Sequence, residues 1–412
     1  MINYQKHTLP NGLTVVVNRD RQSKLAAVNI LYRVGARNER PDRTGFAHLF
    51  EHLMFRGTRR IPNFDLPVQM AAGDNNAFTN NDYTDFYITL PKDNIETALW
   101  LESDRMEGLD ITSEKLETEK RVVIEEFRQR YLNQPYGDQQ MLLRALAYKV
   151  HPYRWSTIGL TPDHIAAASL DEVRRFYRDH YHPGNAILSL SADIDEERML
   201  DLAERYFGQI APRTVTEEPI AQEPPQREAR REEVERDVPA TAISIAYHMG
   251  DRLSPDFYTA DLVSDLLAGG DSGRLYNRLV KERRLLASVN AYITGDRDPG
   301  LFVFTGQLLP ETTPEQAEEA LLGEMEELCR TPACEYETEK VKNKFEANTL
   351  FGELNVMNKA MNLGFYEMLG DLALINAEVD RYRSVTADDI IDFSRRTFRA
   401  ENSSTLIYKA RS

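Results

Sequence analysis

The stretch GFAHLFEHLMFRGT spans Gly45 to Thr58 and carries its apolar residues at helical spacing, with His48, Glu51 and His52 within it. Positions four apart on an α-helix lie about 40° apart around the axis, so both imidazoles project from one face of the predicted helix. Two imidazoles on one face can reach a single metal ion such as zinc, and a glutamate beside them can take a proton from an attacking water. The stretch therefore predicts an amphipathic helix that carries a metal site.

Strand-like runs precede this helix, LTVVVN at 13–18 and AAVNILYRV at 26–34. A similar run, ATAISIAYHM at 240–249, precedes a second helical segment in the other half of the chain. When the two helices are aligned by apolar spacing, residues 47–54 fall over 260–267, and the histidines and the glutamate have no counterparts. This alignment indicates a weak internal repeat in which only the first copy carries chemistry.

The remaining sequence alternates amphipathic helices with short strands, which predicts an α+β fold made of two similar α/β domains. A chain of 412 residues also exceeds the usual size of a single hydrophobic core. Residues 213–235 are rich in proline and charge and lack apolar periodicity, which is typical of a linker. We therefore expect an N-terminal domain over 1–212 with the metal site, and a C-terminal domain over 236–412 without one.

Composition excludes some functions. The formal net charge of −16 argues against a nucleic-acid partner, because such binding depends on Lys and Arg. No apolar run reaches the roughly 18 residues that cross a bilayer, so we expect a soluble protein with no membrane span. Cys329 and Cys334, the only cysteines, are expected to be free thiols. The compartment stays open between the cytoplasm and, if a signal peptide was removed, the periplasm.

The order HxxEH reverses the commoner HExxH and is the inverzincin pattern. A catalytic zinc site takes three protein ligands, so a third ligand is needed beyond His48 and His52. The next predicted helix, LETEKRVVIEEFRQR, offers four acidic candidates, namely Glu117, Glu119, Glu125 and Glu126. Most glutamates in such a run are simply solvated, so these residues alone leave the choice open.

These motifs resemble those of the M16 peptidase family, which includes pitrilysin and the mitochondrial processing peptidases. The length of the chain is similar to that of the two-domain members in the M16B branch. In that family HxxEH is followed by ExxxxxxE, whose last glutamate is the third zinc ligand; Glu119 and Glu126 show this spacing. The resemblance implies one Zn²⁺ per chain, held by His48, His52 and Glu126. Glu51 would activate the water and Glu119 would orient a histidine, with Glu125 as the main competitor for the ligand role.

Further stretches that match the family pattern are LPNGLTVVV, VGARNE, NNAFTNNDYTDFYITLP, HPYRWSTIG and GGDSGRLYNRL. In the family, the strand that contains NAFT is an exposed edge to which the substrate adds as a further strand. The resemblance thus implies that Asn76, Ala77 and Phe78 bind the substrate backbone. An ordinary strand without this role is the alternative.

The pattern breaks in the second half. Family members carry there an arginine and a tyrosine, in a context like LRxxxGLAYSV, that bind substrate and stabilise the developing oxyanion. This chain reads LVKERRLLASV from 279 to 289, so Val280 and Ala287 take the two positions. The nearby Arg283, Arg284 and Tyr292 do not form a pair at the family spacing. We therefore expect a heteromer with a paralogous subunit that supplies the pair, with a homodimer also possible.

The leading hypothesis is a zinc endopeptidase that hydrolyses peptides or small unfolded polypeptides in an enclosed chamber. The alternative is a non-catalytic scaffold subunit, similar to respiratory-complex core subunits that resemble this family but lack its metal site. A binding protein with a structural zinc is a third interpretation, although structural sites usually have four protein ligands.

Overall fold

The computed structural model describes residues 1–213 and 219–411. The strands are β1 (Gln5–Thr8), β2 (Thr14–Arg19), β3 (Leu25–Tyr32), β4 (Asp74–Thr79), β5 (Thr84–Pro91), β6 (Ala186–Ala192), β7 (Arg230–Arg236), β8 (Ala242–His248), β9 (Leu286–Ile293), β10 (Leu301–Leu308) and β11 (Ser403–Ala410). The α-helices are α1 (Phe46–Leu53), α2 (Asp65–Met70), α3 (Ile95–Glu107), α4 (Ser113–Phe127), α5 (Gln139–Ala147), α6 (Pro162–Ala166), α7 (Leu170–His180), α8 (Glu196–Phe207), α9 (Phe257–Ala268), α10 (Pro314–Arg330), α11 (Glu335–Gly352), α12 (Val356–Leu369), α13 (Leu374–Ser384) and α14 (Ala387–Thr397).

The chain folds into two compact units, each of which combines a mixed sheet with helices, and the predicted α+β class is confirmed. The first unit consists of Met1–Phe127, Trp155–Ile220 and Leu350–Ala377. The second consists of Arg128–Arg154, Ala221–Thr349 and the residues from Glu378 onward. The predicted boundaries, 1–212 and 236–412, missed that each unit takes a segment from the other half of the sequence.

Helix α12 shows why the predicted boundaries differ from the structure. Its apolar side chains are buried against the first sheet, where Leu363 joins a cluster with Leu31 and Ile187. Val356 and Ala360 pack on Ala27 in the same way. Periodicity predicts that a helix has an apolar face, but it does not say which sheet will cover that face.

The predicted linker, 213–235, also needs correction. Its residues 214–218 lie outside the described residues, but Arg230–Arg236 forms strand β7, parallel to β11 at one edge of the second sheet. The Glu223 carboxylate accepts hydrogen bonds from the backbone N–H groups of residues 149–151. Charged residues suit an edge strand because one side of the strand is exposed to water. The same composition is typical of a linker, so the sequence did not distinguish the two.

The first sheet has six strands in the order β1-β2-β6-β3-β5-β4, with β2 and β6 parallel and the other neighbours antiparallel. Successive residues of β3 face opposite sides, so Leu31 contacts α12 while Tyr32 contacts Tyr181. Tyr181 in turn stacks on Phe50 of α1. Helices α1 and α12 therefore cover opposite faces, and β4 is left at the edge.

The second sheet has the order β7-β11-β8-β10-β9. Its pairing repeats that of the first, since β7 runs parallel to β11 as β2 does to β6, and each further neighbour is antiparallel. Helices α1 and α9 follow corresponding strands, β3 and β8. The predicted internal repeat is confirmed by this shared topology. Within the described residues, no helix is both long enough and apolar enough to cross a membrane.

Candidate metal centre

Helix α1 places its apolar side chains in the core and its two histidines toward α4. Phe46, Leu49 and Phe50 are buried, and Phe50 stacks on Phe176 with ring centroids 5.2 Å apart. The helix begins after Gly45, whose φ of 90° lies in the left-handed region and where a β-carbon would come within 2.6 Å of the Ile158 carbonyl oxygen. Gly45 therefore allows the chain to turn sharply into this helix.

His48, His52 and Glu126 come together between α1 and α4. Their candidate ligand atoms all lie within 4.8 Å of one another. The Glu126 Oε2 atom is 3.6 Å from His48 Nε2 and 3.4 Å from His52 Nε2. These distances exceed the roughly 2.9 Å typical of N–H···O hydrogen bonds. They match the separation of about 3.4 Å between ligand atoms that surround a tetrahedral zinc at bonds near 2.1 Å. The donor set and its spacing therefore fit zinc.

Helix α4 places only one of two adjacent glutamates beside the imidazoles. Val123 and Phe127 are buried on its core side, and Glu126 lies with the imidazoles while the Glu125 side chain is exposed. Neighbouring residues on a helix point about 100° apart, so only one of them can reach this position. The geometry brings together the three residues that were predicted as ligands and leaves the competitor, Glu125, outside.

Glu119 lies one further step behind His52. Its Oε2 atom is 3.5 Å from His52 Nδ1, and its side chain is only 1% exposed. Burial would raise the pKa of Glu119, but the neighbouring His52 and Arg56 lower it below its usual value. Burial likewise would lower the pKa of His52, yet the carboxylates of Glu119 and Glu126 raise it to about 9. The site thus favours positive charge, which a bound dication would also satisfy.

Arg56 is a residue that sequence reasoning missed. Its guanidinium pairs with the Glu119 carboxylate on the Oε1 atom, while the other oxygen faces His52. Arg56 follows His52 by four positions, and this spacing was the available signal that it lies on the same side of the segment. The pair holds Glu119 in an orientation that suits the histidine.

Glu51 lies on the same helix as the histidines and is partly exposed. Burial is the main cause of the raised pKa of Tyr181, and the negative charge of Glu51 adds to it. Glu51 contributes in the same direction at Tyr87, after burial, Asp85 and Asp74. The Glu51 carboxylate therefore lies within electrostatic range of Tyr181 and of Tyr87 on β5.

The predicted substrate-binding residues lie on β4, the edge strand of the first sheet, which packs against α1. Asn76 is exposed, Ala77 is buried, and Phe78 is partly buried with its ring centroid 5.6 Å from that of Tyr83. One side of β4 pairs with β5, and no strand among the described residues pairs with the other. The position suits strand addition, and the binding role stays a prediction.

The segment 279–289 contains one residue with a positive φ angle. Arg284, which stands where the family pattern has glycine, adopts a φ of 51°, in the left-handed region that favours glycine. In this register Val280 packs against the core of the second unit and Ala287 is exposed on β9. The Tyr292 hydroxyl, an alternative donor, accepts a hydrogen bond from Gln140 Nε2 at 2.5 Å.

The counterpart of α1 in the second unit, α9, carries carboxylates where α1 has histidines. Asp261 aligns with His48 and accepts a hydrogen bond of 2.6 Å from the Tyr382 hydroxyl. Asp265 aligns with His52, and Lys344 Nζ lies 2.8 Å from its carboxylate. Protein donors therefore contact both of these carboxylates.

The chain thus combines two α+β units with a set of candidate metal ligands on α1 and α4 of the first unit. Residues 14–159 match the family model described as insulinase (peptidase family M16), and residues 167–345 match the one described as the peptidase M16 inactive domain. The chain belongs to peptidase family M16.

Named relatives extend this assignment. The zinc protease PqqE of Helicobacter pylori is 27% identical over 414 residues, covering 98% of this chain and 93% of that protein. A probable mitochondrial-processing peptidase subunit beta of Schizosaccharomyces pombe is 26% identical over 317 residues, covering 72% of this chain and 67% of that one. The crystal structure of a protease from H. pylori superposes with a TM-score of 0.95 at 26% identity, covering 99% of this chain and all of that one.

Proposed function

We propose that the chain is a zinc-dependent endopeptidase that hydrolyses peptides or small unfolded polypeptides, with one Zn²⁺ held by His48, His52 and Glu126. The observation that carries this proposal is the convergence of two imidazoles and one carboxylate within 4.8 Å on α1 and α4. Three protein ligands are what a catalytic zinc site uses, since a fourth position must remain for water or substrate. Relatives named zinc proteases support the choice of metal.

A zinc ion held by His48, His52 and Glu126 would polarise the scissile carbonyl and make the attacking water easier to deprotonate. Glu51, three residues after His48 on the same helix, would accept the proton of the attacking water and pass it to the leaving amine. Glu119 Oε2 faces His52 Nδ1 at 3.5 Å and would orient the imidazole so that its Nε2 faces the metal position. Arg56 keeps Glu119 in place through their ion pair.

The substrate is bound as an added strand along β4. Its backbone would pair with the free side of the strand near Asn76, Ala77 and Phe78. Main-chain hydrogen bonds give affinity with little dependence on side chains, which suits a peptidase that accepts varied peptides. Because β4 packs beside α1, a peptide on this edge would run next to the metal helix.

We further propose that full activity requires a paralogous subunit that supplies an arginine and a tyrosine. The positions that carry this pair in the family are Val280, whose side chain packs into the core of the second unit, and Ala287. Neither side chain can donate a hydrogen bond to an oxyanion. A heteromer would provide these donors, and a homodimer would lack them.

A second candidate function is a non-catalytic scaffold subunit. Two observations favour it, namely the missing Arg/Tyr pair and the match of residues 167–345 to a domain described as inactive. The intact set of His48, Glu51, His52 and Glu126 favours the peptidase instead, because a scaffold has no need for all four. Turnover separates the two functions.

The test is hydrolysis of a quenched fluorescent peptide mixture by the purified chain, zinc-loaded or stripped with a chelator, alone and with a paralogous subunit. The proposal expects zinc-dependent cleavage that is weak for the chain alone and strong for the pair. Strong cleavage by the chain alone would support the peptidase and exclude the need for a partner. Zinc binding without cleavage in any combination would favour the scaffold.

A further inference from the structure

Helix α1 has an N-terminus that no local side chain caps. Its N-cap residue is Gly45, which has no side chain to accept the first backbone N–H groups. The Glu39 carboxylate accepts them instead, with Oε2 2.9 Å from the Gly45 nitrogen and Oε1 2.8 Å from the Ala47 nitrogen. Both carboxylate oxygens are therefore used at the start of the helix that carries the metal ligands.

Glu39 is itself deeply held in the first unit. Its residue is 6% exposed, and it directly follows a 3₁₀ turn, Ala36–Asn38. Burial raises the pKa of the Glu39 carboxyl to about 8, and the backbone donors at Ala47 and Gly45 oppose this rise. Burial of a carboxyl without such donors would cost free energy, so the backbone N–H groups of α1 stabilise Glu39 in its position. Glu39 in turn satisfies those N–H groups.

Glu39 ends a short segment, 35–39, whose other end is fixed to the turn that follows edge strand β4. The backbone N–H groups of Ala36 and Arg37 donate to the carbonyl oxygens of Asn80 and Asn81, at 3.1 and 2.8 Å. A β-carbon at Gly35 would come within 2.6 Å of the Asn80 and Asn81 oxygens, so glycine permits this close approach. The segment therefore contacts the turn through its backbone and α1 through a side chain.

A third contact stabilises the same segment. Trp155, which is buried, donates from Nε1 to the Ala36 carbonyl oxygen at 2.9 Å. The segment 35–39 is thus fixed to the β4–β5 turn, to Trp155 and to the start of α1. These contacts set how far the metal helix lies from the edge of the sheet.

We propose that Glu39 is a positioning residue that fixes the metal-binding helix α1 relative to edge strand β4. This inference rests on the proposed function, in which α1 holds zinc and β4 binds the peptide. Glu39 would contact neither the zinc nor the peptide, so it would act through the position of His48, Glu51 and His52. Its loss should loosen α1 while β4 stays in place, because the turn is held by the backbone of residues 36 and 37.

The experiment compares the wild-type chain with Glu39→Ala and Glu39→Gln. Asp389→Ala is the matched control, because the Asp389 carboxylate caps α14 of the second unit by accepting from the Thr386 nitrogen at 2.8 Å. Three quantities are measured, namely the zinc Kd by chelator competition, amide exchange over Phe46–Leu53 in the metal-free protein, and kcat and KM for a fluorescent peptide with any required partner.

The zinc Kd of Glu39→Ala should rise about 10- to 100-fold, the effect usual for residues that orient metal ligands. Exchange in α1 should accelerate, and kcat should fall with KM changed less than about twofold. Glu39→Gln should be intermediate because its amide oxygen can accept one of the two backbone N–H groups, whereas its amide nitrogen cannot accept the other. Asp389→Ala should match the wild type in all three.

An unchanged zinc Kd and unchanged α1 exchange in Glu39→Ala would overturn the inference. If Glu39→Ala does not fold, the same comparison is made with Glu39→Gln. If the wild-type chain binds no zinc, the proposed function fails, and amide exchange in the metal-free proteins still decides whether Glu39 holds α1.

Discussion

Replacement of Glu126 and of its neighbour Glu125 by glutamine compares the proposed metal ligand with an exposed acid one residue away. Both changes remove one negative charge and keep the shape of the side chain. Glu126 Oε2 lies 3.4 and 3.6 Å from the two imidazole Nε2 atoms, whereas Glu125 is exposed. The two β-carbons project about 100° apart, which separates them by roughly 5 Å, so Glu125 cannot take over without a turn of the helix.

We expect Glu126→Gln to weaken zinc binding by more than the roughly 100-fold that loss of an outer partner costs, because it alters one of the three proposed direct ligands. Glu125→Gln should bind zinc within about twofold of the wild type. The assay is competition with a chromophoric chelator, followed by metal analysis after gel filtration. Normal zinc affinity in Glu126→Gln, or its loss in Glu125→Gln, would refute the assignment.

Two further predictions concern stability. Leu363→Ala should lower the free energy of unfolding by about 2–5 kcal/mol, because this α12 side chain is fully buried on the first sheet. The control Phe351→Ala, at a side chain that is 73% exposed, should change the free energy of unfolding by less than about 0.5 kcal/mol. Equal effects of the two substitutions in urea unfolding would contradict the packing of α12. Burial lowers the pKa of His180, which contacts Phe176, to about 4, so the folded chain favours the neutral imidazole. The contribution of this neutral form to the free energy of unfolding is complete above pH 6.5 and is lost as the pH falls toward 4. As the pH is lowered from 7 to 4.5, the free energy of unfolding of His180→Gln should therefore rise by about 2 kcal/mol relative to that of the wild type. A difference between the two that does not change with pH would exclude this cause.

Local patterns were sufficient to predict much of the candidate site. The spacing of His48, Glu51 and His52 determines which side chains share a helix face, and a helix is a local structure. The choice of Glu126 over Glu125 came from the family resemblance, and the structure brings Glu126 to the two histidines. Catalytic and binding roles at these positions remain predictions.

Features that depend on distant contacts could not be predicted in this way. The exchange of 128–154 and 350–377 between units depends on which sheet covers an apolar helix face. Strand β7 was hidden because an edge strand with one solvated side can be as charged as a linker. Glu39 was only part of the motif VGARNE, and its capping role depends on a loop that returns to the start of α1.

The measurement that tests the central claim most directly is zinc content and peptide cleavage in the same preparation of the wild type and Glu51→Gln, each assembled with a paralogous subunit. Glu51 is the proposed proton acceptor and is not a ligand, so the variant should keep one zinc per chain and lose cleavage by about 100-fold or more. Cleavage that persists in Glu51→Gln with full zinc would contradict the account.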